Sequence, residues 1–412
     1  MQGSNDAHLK GEVMKFDIFS EIQQAEPWPE NHEYKLFMDT LEQAKCADEA
    51  GFGAWWQVEH HASPAFSYSS APDLMLCAIA QNTKRMHVGH AGVLTPYKIN
   101  HPMKTAERAA TLDILSNGRF ELGLARSGGK EWSTFGSVLE RTKPELLEAF
   151  TIIPKMWTEK KFSWKSDLIE IPEREVTPKP LQKPHPRLWQ TAGSADSFRS
   201  AGQLGVGVLG TTLFSPIDVM AGFLREYDEG IKECKKPVGH FTNNEKGVFT
   251  FVHVADSRKK AIEAGAAWSA MWYVEFAAVN SLVPRQLWYD LIIAGLHPNY
   301  LARSRPASQE TGFEDRDPTD LTPDPDGIPV VEGLKRMARG EKISFEEAHE
   351  LLEPLESVVI GDPDHCIEKF KAYQKIGTDR MLCLQQFGSI PHEAVMQSQR
   401  LVGKYVMPAF KK

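Results

Sequence analysis

The sequence predicts an α/β protein built as one (β/α)8 TIM barrel with a long insertion between its seventh and eighth units. Three observations carry the prediction. From Met14 onward, short β-rich runs alternate with amphipathic helical stretches, the pattern of parallel βα units. Seven or eight such repeats can be counted along the chain, and no break in composition divides them. A length of 412 residues alone allows one barrel or two medium domains, so the unbroken repeat decides for one domain over 14–412, preceded by a flexible polar extension over 1–13.

The elements follow in order. MKFDIFS (14–20) reads as the first strand, and an amphipathic helix from His32 to Ala50 is stopped by Gly51. AWWQVEH (54–60) supplies the second strand, with a helix over Ala71 to Gln81, and MHVGHAGVL (86–94) the third, with a helix from His101-Pro102 to Ser116. Asn117-Gly118 turns the chain into RFELGLA (119–125), the fourth strand, and a helix from Pro144 to Thr158 follows. KPLQKPHPR (179–187) reads as loop, because a residue before proline is pushed toward extended backbone. RLWQTAG (187–193), GVGVLG (205–210) and KGVFTFVHV (246–254) continue the count, and either ESVVIGD (356–362) or RMLCLQQ (380–386) closes it. The insertion covers about 282–353. Its stretch 303–327 is too acidic and proline-rich to pack as core and reads as a connector or a lid.

Composition narrows the function. The net charge of −8 is spread without a long basic run, which argues against nucleic acid or a membrane surface as partner and for a small molecule. Five scattered cysteines without a CxxC pair suggest neither a disulfide framework nor a zinc ribbon, and read as reduced thiols of a cytoplasmic protein. No apolar run reaches the roughly 20 residues that span a bilayer, and the N-terminus lacks the apolar core of a signal peptide.

The densest chemistry is VEHHASPAF (58–66). Glu59, His60 and His61 stand at the end of the second strand, and strand C-termini of a parallel barrel face the active site, so a carboxylate and two imidazoles there suit acid/base work. On the residues alone they read equally as surface or structurally bonded side chains. A metal site lacks support, since His90 and His101 lie beyond other strands without a metal-ligand spacing. GVGVLG matches the glycine fingerprint of dinucleotide sites, yet its glycines are the strand and do not open a helix, so the match reads as accidental. TAGSADS (191–197) is a better anion site, a tight turn in which Ser194 and Ser197 begin a helix, although Ser194 is equally an N-cap. Arg126 with Ser127, Gly128 and Gly129 sets a cation beside a glycine turn after the fourth strand, which also suits a phosphate. Trp55, Trp56 and Phe66 read as an apolar wall of the barrel mouth.

Taken together, MKFDIF, EHH, HVGHAGVLTPYKINHP, LDILSNGRFELGLARS, the Phe135-Gly136 pair, PKPLQKPHPRLW, AGSADS and GDPDHCIEKFKAYQKIGTDRMLC occur in the order found in the bacterial-luciferase-like flavin monooxygenases, which the chain resembles from Met14 to Pro408. The resemblance implies a two-component enzyme: a separate flavin reductase supplies reduced FMN, which reacts with O2 at the flavin C4a position to oxygenate a small organic substrate by hydroxylation or Baeyer–Villiger insertion. It implies His60 as the histidine near C4a, Arg126, Ser194 and Ser197 as phosphate holders, a cis peptide at Ala91-Gly92 against the flavin, and Glu131 as an acidic neighbour. Ala125 replaces a reactive cysteine and Gly193 a glutamate of the light-emitting subunit, so light emission on an aldehyde is not expected. A homodimer is implied by the same likeness. The competing readings are hydride transfer with a flavin or a deazaflavin (coenzyme F420) on the same barrel, a non-catalytic flavin-binding protein, and a metal-dependent barrel hydrolase.

Overall fold

The structure, a computed structural model, describes residues 13–126, 128–278, 285, 289–290, 292–293, 321 and 328–411. The stretch read as connector or lid, 303–327, lies outside the described residues apart from Leu321, and so do Ser127 and residues 1–12 of the N-terminal extension.

The strands are β1 (Lys15–Ser20), β2 (Ala54–Gln57), β3 (His87–His90), β4 (Val93–Leu94), β5 (Phe120–Ala125), β6 (Phe162–Lys165), β7 (Glu170–Arg174), β8 (Arg187–Thr191), β9 (Gly207–Thr211), β10 (Lys246–Val254), β11 (Val359–Gly361) and β12 (Arg380–Leu384). Parallel pairing runs β1-β2-β3-β5-β8-β9-β10-β12, and β12 pairs again with β1, placing Lys15 opposite Arg380 and Phe19 opposite Leu384. This closes an eight-stranded barrel with helices packed outside, a (β/α)8 fold. RMLCLQQ is therefore the closing strand. ESVVIGD forms β11, which among the described residues pairs with the distal part of β10 and lies outside the closed ring.

Because such a sheet is covered on both sides, its strands are buried at successive residues while the side chains still alternate in direction. Phe16, Ile18, Trp55, Val88, Leu122 and Val248 belong to the apolar layer under the helices. Phe19, Trp56, Trp189, Phe251, Leu382 and Leu384 fill the interior. Trp55 and Trp56, expected at the barrel mouth, are thereby relocated. Trp55 lies in the outer layer and donates to Gln57 Oε1 at 3.0 Å. Trp56 points inward and donates to Asp17 Oδ2 at 2.9 Å, toward the N-terminal end of the strands. Adjacent strand residues cannot share a wall, since the pleat sends them to opposite faces.

That N-terminal end is an ionic floor. Arg380 opens β12 and meets Asp17 Oδ2 at 2.9 Å, Glu121 Oε1 at 3.6 Å and the carboxylate of Glu245. Its guanidinium lies 5.5 Å from the Trp189 ring, whose Nε1 donates to Glu121 Oε2 at 2.7 Å. Burial alone would push Glu121 up, but Arg380, His87 and Arg187 hold it at about 2, and Arg380 together with Lys15 does the same for Glu245.

Several elements differ from expectation. The second strand ends at Gln57, which leaves Glu59, His60 and His61 in the following loop. The third run breaks into β3 and β4 at Ala91-Gly92. A Cβ on Gly92 would stand 2.8 Å from the Leu124 backbone, so only glycine permits this approach. The helix expected from Pro144 begins at Leu139 and carries Pro144 in its first two turns. The β6–β7 hairpin was not foreseen. Gly207 and Gly210 lie within β9, so the glycine fingerprint is indeed strand. On the side of the insertion, a helix at Ala266–Trp272 runs into a π-helical turn at Tyr273–Ala278, and helices cover Pro329–Ala338 and Phe345–Leu352.

Candidate active site

Three strand C-termini converge at the mouth of the barrel. Glu21 directly follows β1, His60 lies three residues past β2, and Glu131 sits in the short helix Gly129–Phe135 after β5. His60 Nδ1 donates to Glu131 Oε1 at 3.1 Å, and the His61 backbone N–H donates to the same oxygen at 2.9 Å. On its other side His60 Nε2 faces Glu21 Oε2 at 4.0 Å. The other oxygen, Glu21 Oε1, accepts from the Tyr273 hydroxyl at 3.3 Å. Phe66 stands edge-on to the His60 ring at 4.7 Å and 5.7 Å from Tyr273. Phe66 is thus the member of the expected aromatic wall that lies beside the histidine.

The electrostatics make this a proton-exchanging group. Burial pushes the Glu21 carboxyl up to about 7, and the His60 and Tyr273 partners only partly offset it, while Glu131 adds to the rise. For His60, burial acts to lower the imidazole, but the Glu131 hydrogen bond and the Glu21, Glu131 and Glu59 charges outweigh it and raise it. A carboxyl raised to about 7 and an imidazole raised above its ordinary value stand side by side. Backbone strain flanks them: Ile22 and Ala62 take positive φ of 52° and 54°. For a β-branched residue such as Ile22 this conformation is rare and persists only where packing enforces it, here with Tyr68 N–H donating to Ile22 O at 3.1 Å and Ser67 Oγ donating to Glu21 O at 2.6 Å.

Glu59 and His61 do something else. Glu59 accepts from the Leu94 N–H at 2.9 Å, from Asn100 Nδ2 at 2.9 and 3.1 Å, and from His61 Nε2 at 3.2 Å. Arg108 Nη2 in turn donates to Asn100 Oδ1 at 2.7 Å. This buried carboxylate ties the loop after β2 to the chain after β4, and its oxygens are taken up by protein donors. The sequence reading placed Glu59, His60 and His61 together as acid/base residues. The structure brings only His60 of the three against Glu21.

Glu21, Asn100 and Arg108 were missed. Glu21 had a signal, a carboxylate directly after the first strand in MKFDIFSE. Arg108 had none, because its helix meets the site only through the fold. Tyr273 belongs to WSAMWYVEF (268–276), an aromatic run that the sequence reads as pocket wall or buried helix, and the structure sets its hydroxyl on Glu21.

The anion candidates stand on neighbouring loops. Ser194 caps the helix Ala195–Leu204 in a capping box with Ser197, and the Gly193 and Ser194 N–H groups donate to Ser197 Oγ at 3.2 and 3.0 Å. A Cβ added to Gly193 would meet no atom within 4 Å. Arg126 donates from Nε and Nη2 to Thr142 Oγ1 at 3.2 and 2.9 Å, and its carbonyl accepts from Trp132 Nε1 at 2.8 Å. Gly128 is the extended residue before the helix of Glu131. The expected cis bond at Ala91-Gly92 is corrected: the cis peptides among the described residues are Glu26-Pro27, Thr177-Pro178 and Lys183-Pro184. The carbonyl of the trans Ala91-Gly92 peptide accepts from Thr191 Oγ1 at 2.8 Å. A non-prolyl cis bond costs about 3–4 kcal/mol, and glycine at 92 already allows the close backbone approach. Among the described residues no group of three His, Cys, Asp or Glu is placed to hold a metal ion, and no helix is long and apolar enough to cross a membrane.

A family model described as luciferase-like monooxygenase matches residues 14–380. The chain belongs to that family. Among curated relatives, the oxygenase component of the flavin-dependent trigonelline monooxygenase of Acinetobacter baylyi is 27% identical over 260 residues, 60% of this chain and 67% of that one. Two further relatives are matched over 50% and 53% of their lengths. Among solved structures, the oxygenating constituent of 3,6-diketocamphane monooxygenase from Pseudomonas putida, a type II Baeyer–Villiger enzyme in complex with FMN, superposes with a TM-score of 0.65 at 19% identity, over 96% of this chain and 98% of that one. The coenzyme F420-dependent tetrahydromethanopterin reductase of Methanopyrus kandleri gives 0.64 at 18%, over 97% and 100%. At such identities the two superpositions speak for the fold, which this luciferase-like chain shares with both.

Proposed function

We propose that this chain is the oxygenase component of a two-component flavin monooxygenase, taking reduced FMN from a separate flavin reductase and placing one oxygen atom of O2 into a small organic substrate by hydroxylation or Baeyer–Villiger insertion. The observation that carries the reading is the partly buried His60 held between Glu131 and Glu21 at the C-terminal ends of three barrel strands. Membership of the family and the flavin-dependent relative support it.

The residues fit FMN. At the start of Ala195–Leu204, two backbone N–H groups and two hydroxyls gather at a helix N-terminus, and Gly193 leaves space where a side chain would stand. Ser194, Ser197, Gly193 and, from the neighbouring loop, Arg126 with Ser127 and Gly128 would hold the phosphate, and Ala91 and Gly92 would lie along the ring system. Bound there, FMN supplies the two electrons that activate O2. The protein's own part is to hold the His60 proton between two carboxylates and to exclude water with Phe66 and Tyr273. Leu74, Ile114 and Leu115 project apolar side chains from the helices after β2 and β4, which supports a homodimer through that face.

Reconstitution with reduced FMN, a flavin reductase and O2 tests the reading, with oxygenated product and O2 uptake followed together. Reduction of substrate without O2 uptake would favour hydride transfer with a deazaflavin, for which the Methanopyrus kandleri likeness speaks. Tight flavin binding with no turnover of any kind would favour a non-catalytic flavin-binding protein.

A further inference from the structure

Glu21 is 2% exposed, and its Oε2 is a buried oxygen without a hydrogen-bond partner. Such an atom costs free energy unless something uses it. Its carboxylate partner Oε1 is held by Tyr273, so the geometry leaves Oε2 aimed at His60 Nε2 across 4.0 Å. That gap is too long for a hydrogen bond between the two, and it matches the separation at which one small atom, about 2.8 Å from each, would bond to both. The surroundings are aromatic. Phe66 lies against His60, Tyr273 against Phe66, and Phe251 stands 5.1 Å from Tyr273 and 4.8 Å from Phe387.

We propose that Glu21 Oε2 and His60 Nε2 together bind the hydroxyl of a phenolic substrate, with Glu21 taking its proton and the His60 N–H holding the resulting oxygen anion. The inference rests on the oxygenase reading and names the substrate class for the same site. Its chemistry follows from charge. A phenolate ring is far more electron-rich at the carbons ortho and para to oxygen than the neutral phenol, so deprotonation prepares it for attack by an electrophilic oxygen. In the overall reaction a ring C–H bond becomes C–OH: O2 provides the inserted oxygen, its second oxygen leaves as water, and reduced FMN gives up two electrons and two protons and is oxidised. Proton transfer to Glu21 leaves the site's charge unchanged, since a carboxylate is replaced by a phenolate beside the same His60 and Glu131. The groups facing Glu21 are His60, Glu131, Tyr273 and Ser67, and those facing His60 are Glu21, Glu131 and Glu59, so the imidazole has anionic neighbours on both sides to keep its proton. The rise of the Glu21 carboxyl to about 7 gives it the base strength to accept a proton in neutral solution.

The test uses the full chain without flavin and 4-cyanophenol as probe, because its ultraviolet phenolate band reports proton loss on binding. In buffer between the Glu21 value of about 7 and the slightly higher pKa of the free phenol, Glu21 is ionised and the free probe is not. The wild type is there expected to bind the probe with the phenolate band present, and to bind 4-methoxybenzonitrile, which has no proton to give, at least tenfold more weakly. Glu21→Gln, nearly identical in shape, is expected to lose the band and at least tenfold in affinity. Tyr273→Phe removes a donor from Glu21 and makes it more basic, so a larger share of the bound probe is expected as phenolate and the band to grow; a merely structural tyrosine would not change it. Equal binding of 4-methoxybenzonitrile and 4-cyanophenol, or an unchanged band in folded Glu21→Gln, would overturn the proposal, and so would an unchanged band in Tyr273→Phe should Glu21→Gln fail to fold. The outcome is separable from that of the oxygenase reading: a protein that couples O2 uptake to oxygenation of a ketone such as cyclohexanone, yet neither binds nor ionises the phenol, refutes only the substrate class.

Discussion

The two ends of the barrel bury carboxylates in opposite ways. At the floor, Glu121 and Glu245 gather round Arg380 and are held near 2, because the guanidinium offsets the cost of leaving water. At the mouth, Glu21 has only the imidazole of His60, 4.0 Å away, and is pushed up to about 7. A permanent cation shared by several carboxylates keeps Glu121 and Glu245 ionised, whereas a titratable cation held off by one atom's width leaves Glu21 able to take and give protons. Asp17, four residues before Glu21, also meets Arg380, yet burial outweighs that cation and raises its carboxyl.

Substitution of His60 is expected to have the largest effect and to fall on chemistry alone. His60→Ala should lower oxygenated product about 10²- to 10⁴-fold, the usual range for a general acid or base, with hydrogen peroxide rising in proportion as O2 is still consumed. Paired measurement of O2 uptake, peroxide and product decides it, with His61→Ala as control. Because His61 is turned to Glu59, it should keep most of its coupling. Loss of coupling in His61→Ala but not in His60→Ala would move the assignment by one residue.

Arg380→Met asks the same of the floor, where the effect should fall on stability. Removing the cation leaves Asp17 and Glu121 buried and uncompensated, at a cost of about 3–5 kcal/mol. The urea midpoint should drop accordingly, and an unchanged midpoint would show that the floor carboxylates simply take up protons.

The pH dependence of stability should show Glu121 and Glu245 on the floor and Glu21 at the mouth with opposite signs. A carboxyl depressed in the folded state stabilises above its unfolded value, so the Glu121 and Glu245 contribution is in place above about pH 4.5 and is lost as pH falls toward 2. Glu21 is raised, so the folded state binds the extra proton, and its contribution is in place below about 4.5 and is lost as pH rises through 7. Each is on the order of 3 kcal/mol by linkage. Urea melts of wild type and Glu21→Gln from acid to neutral pH isolate the mouth: the variant should decline less steeply between about 4.5 and 7, the raised Asp17 on the floor accounting for what is left. A parallel decline in both proteins would place the titration elsewhere.

The smallest effect expected is at the rim. Arg126→Ala should weaken FMN by about 1.5–3 kcal/mol and riboflavin, which lacks the phosphate, far less. Equal losses in equilibrium titrations of the two flavins would leave Arg126 the anchor of Thr142 and Trp132 that the structure shows, and nothing more.

What the sequence determined by itself is local and periodic. The first helix falls on His32–Ala50 as read, since amphipathic spacing and the αL glycine at 51 are properties of a single segment. The (β/α)8 count, the strand character of GVGVLG and the N-cap at Ser194 were legible for the same reason. His60 was legible because a histidine at a strand C-terminus is placed by the topology of any parallel barrel. Only the tertiary structure decided which face each tryptophan took, that RMLCLQQ and not ESVVIGD closes the barrel, and that Glu59 is tied up by Asn100 while Glu21 is left open to His60. The physical reason is that a carboxylate's role depends on its partners across space. Tyr273 lies 252 residues from Glu21 and Arg380 lies 363 from Asp17, separations over which no periodicity in the chain carries information.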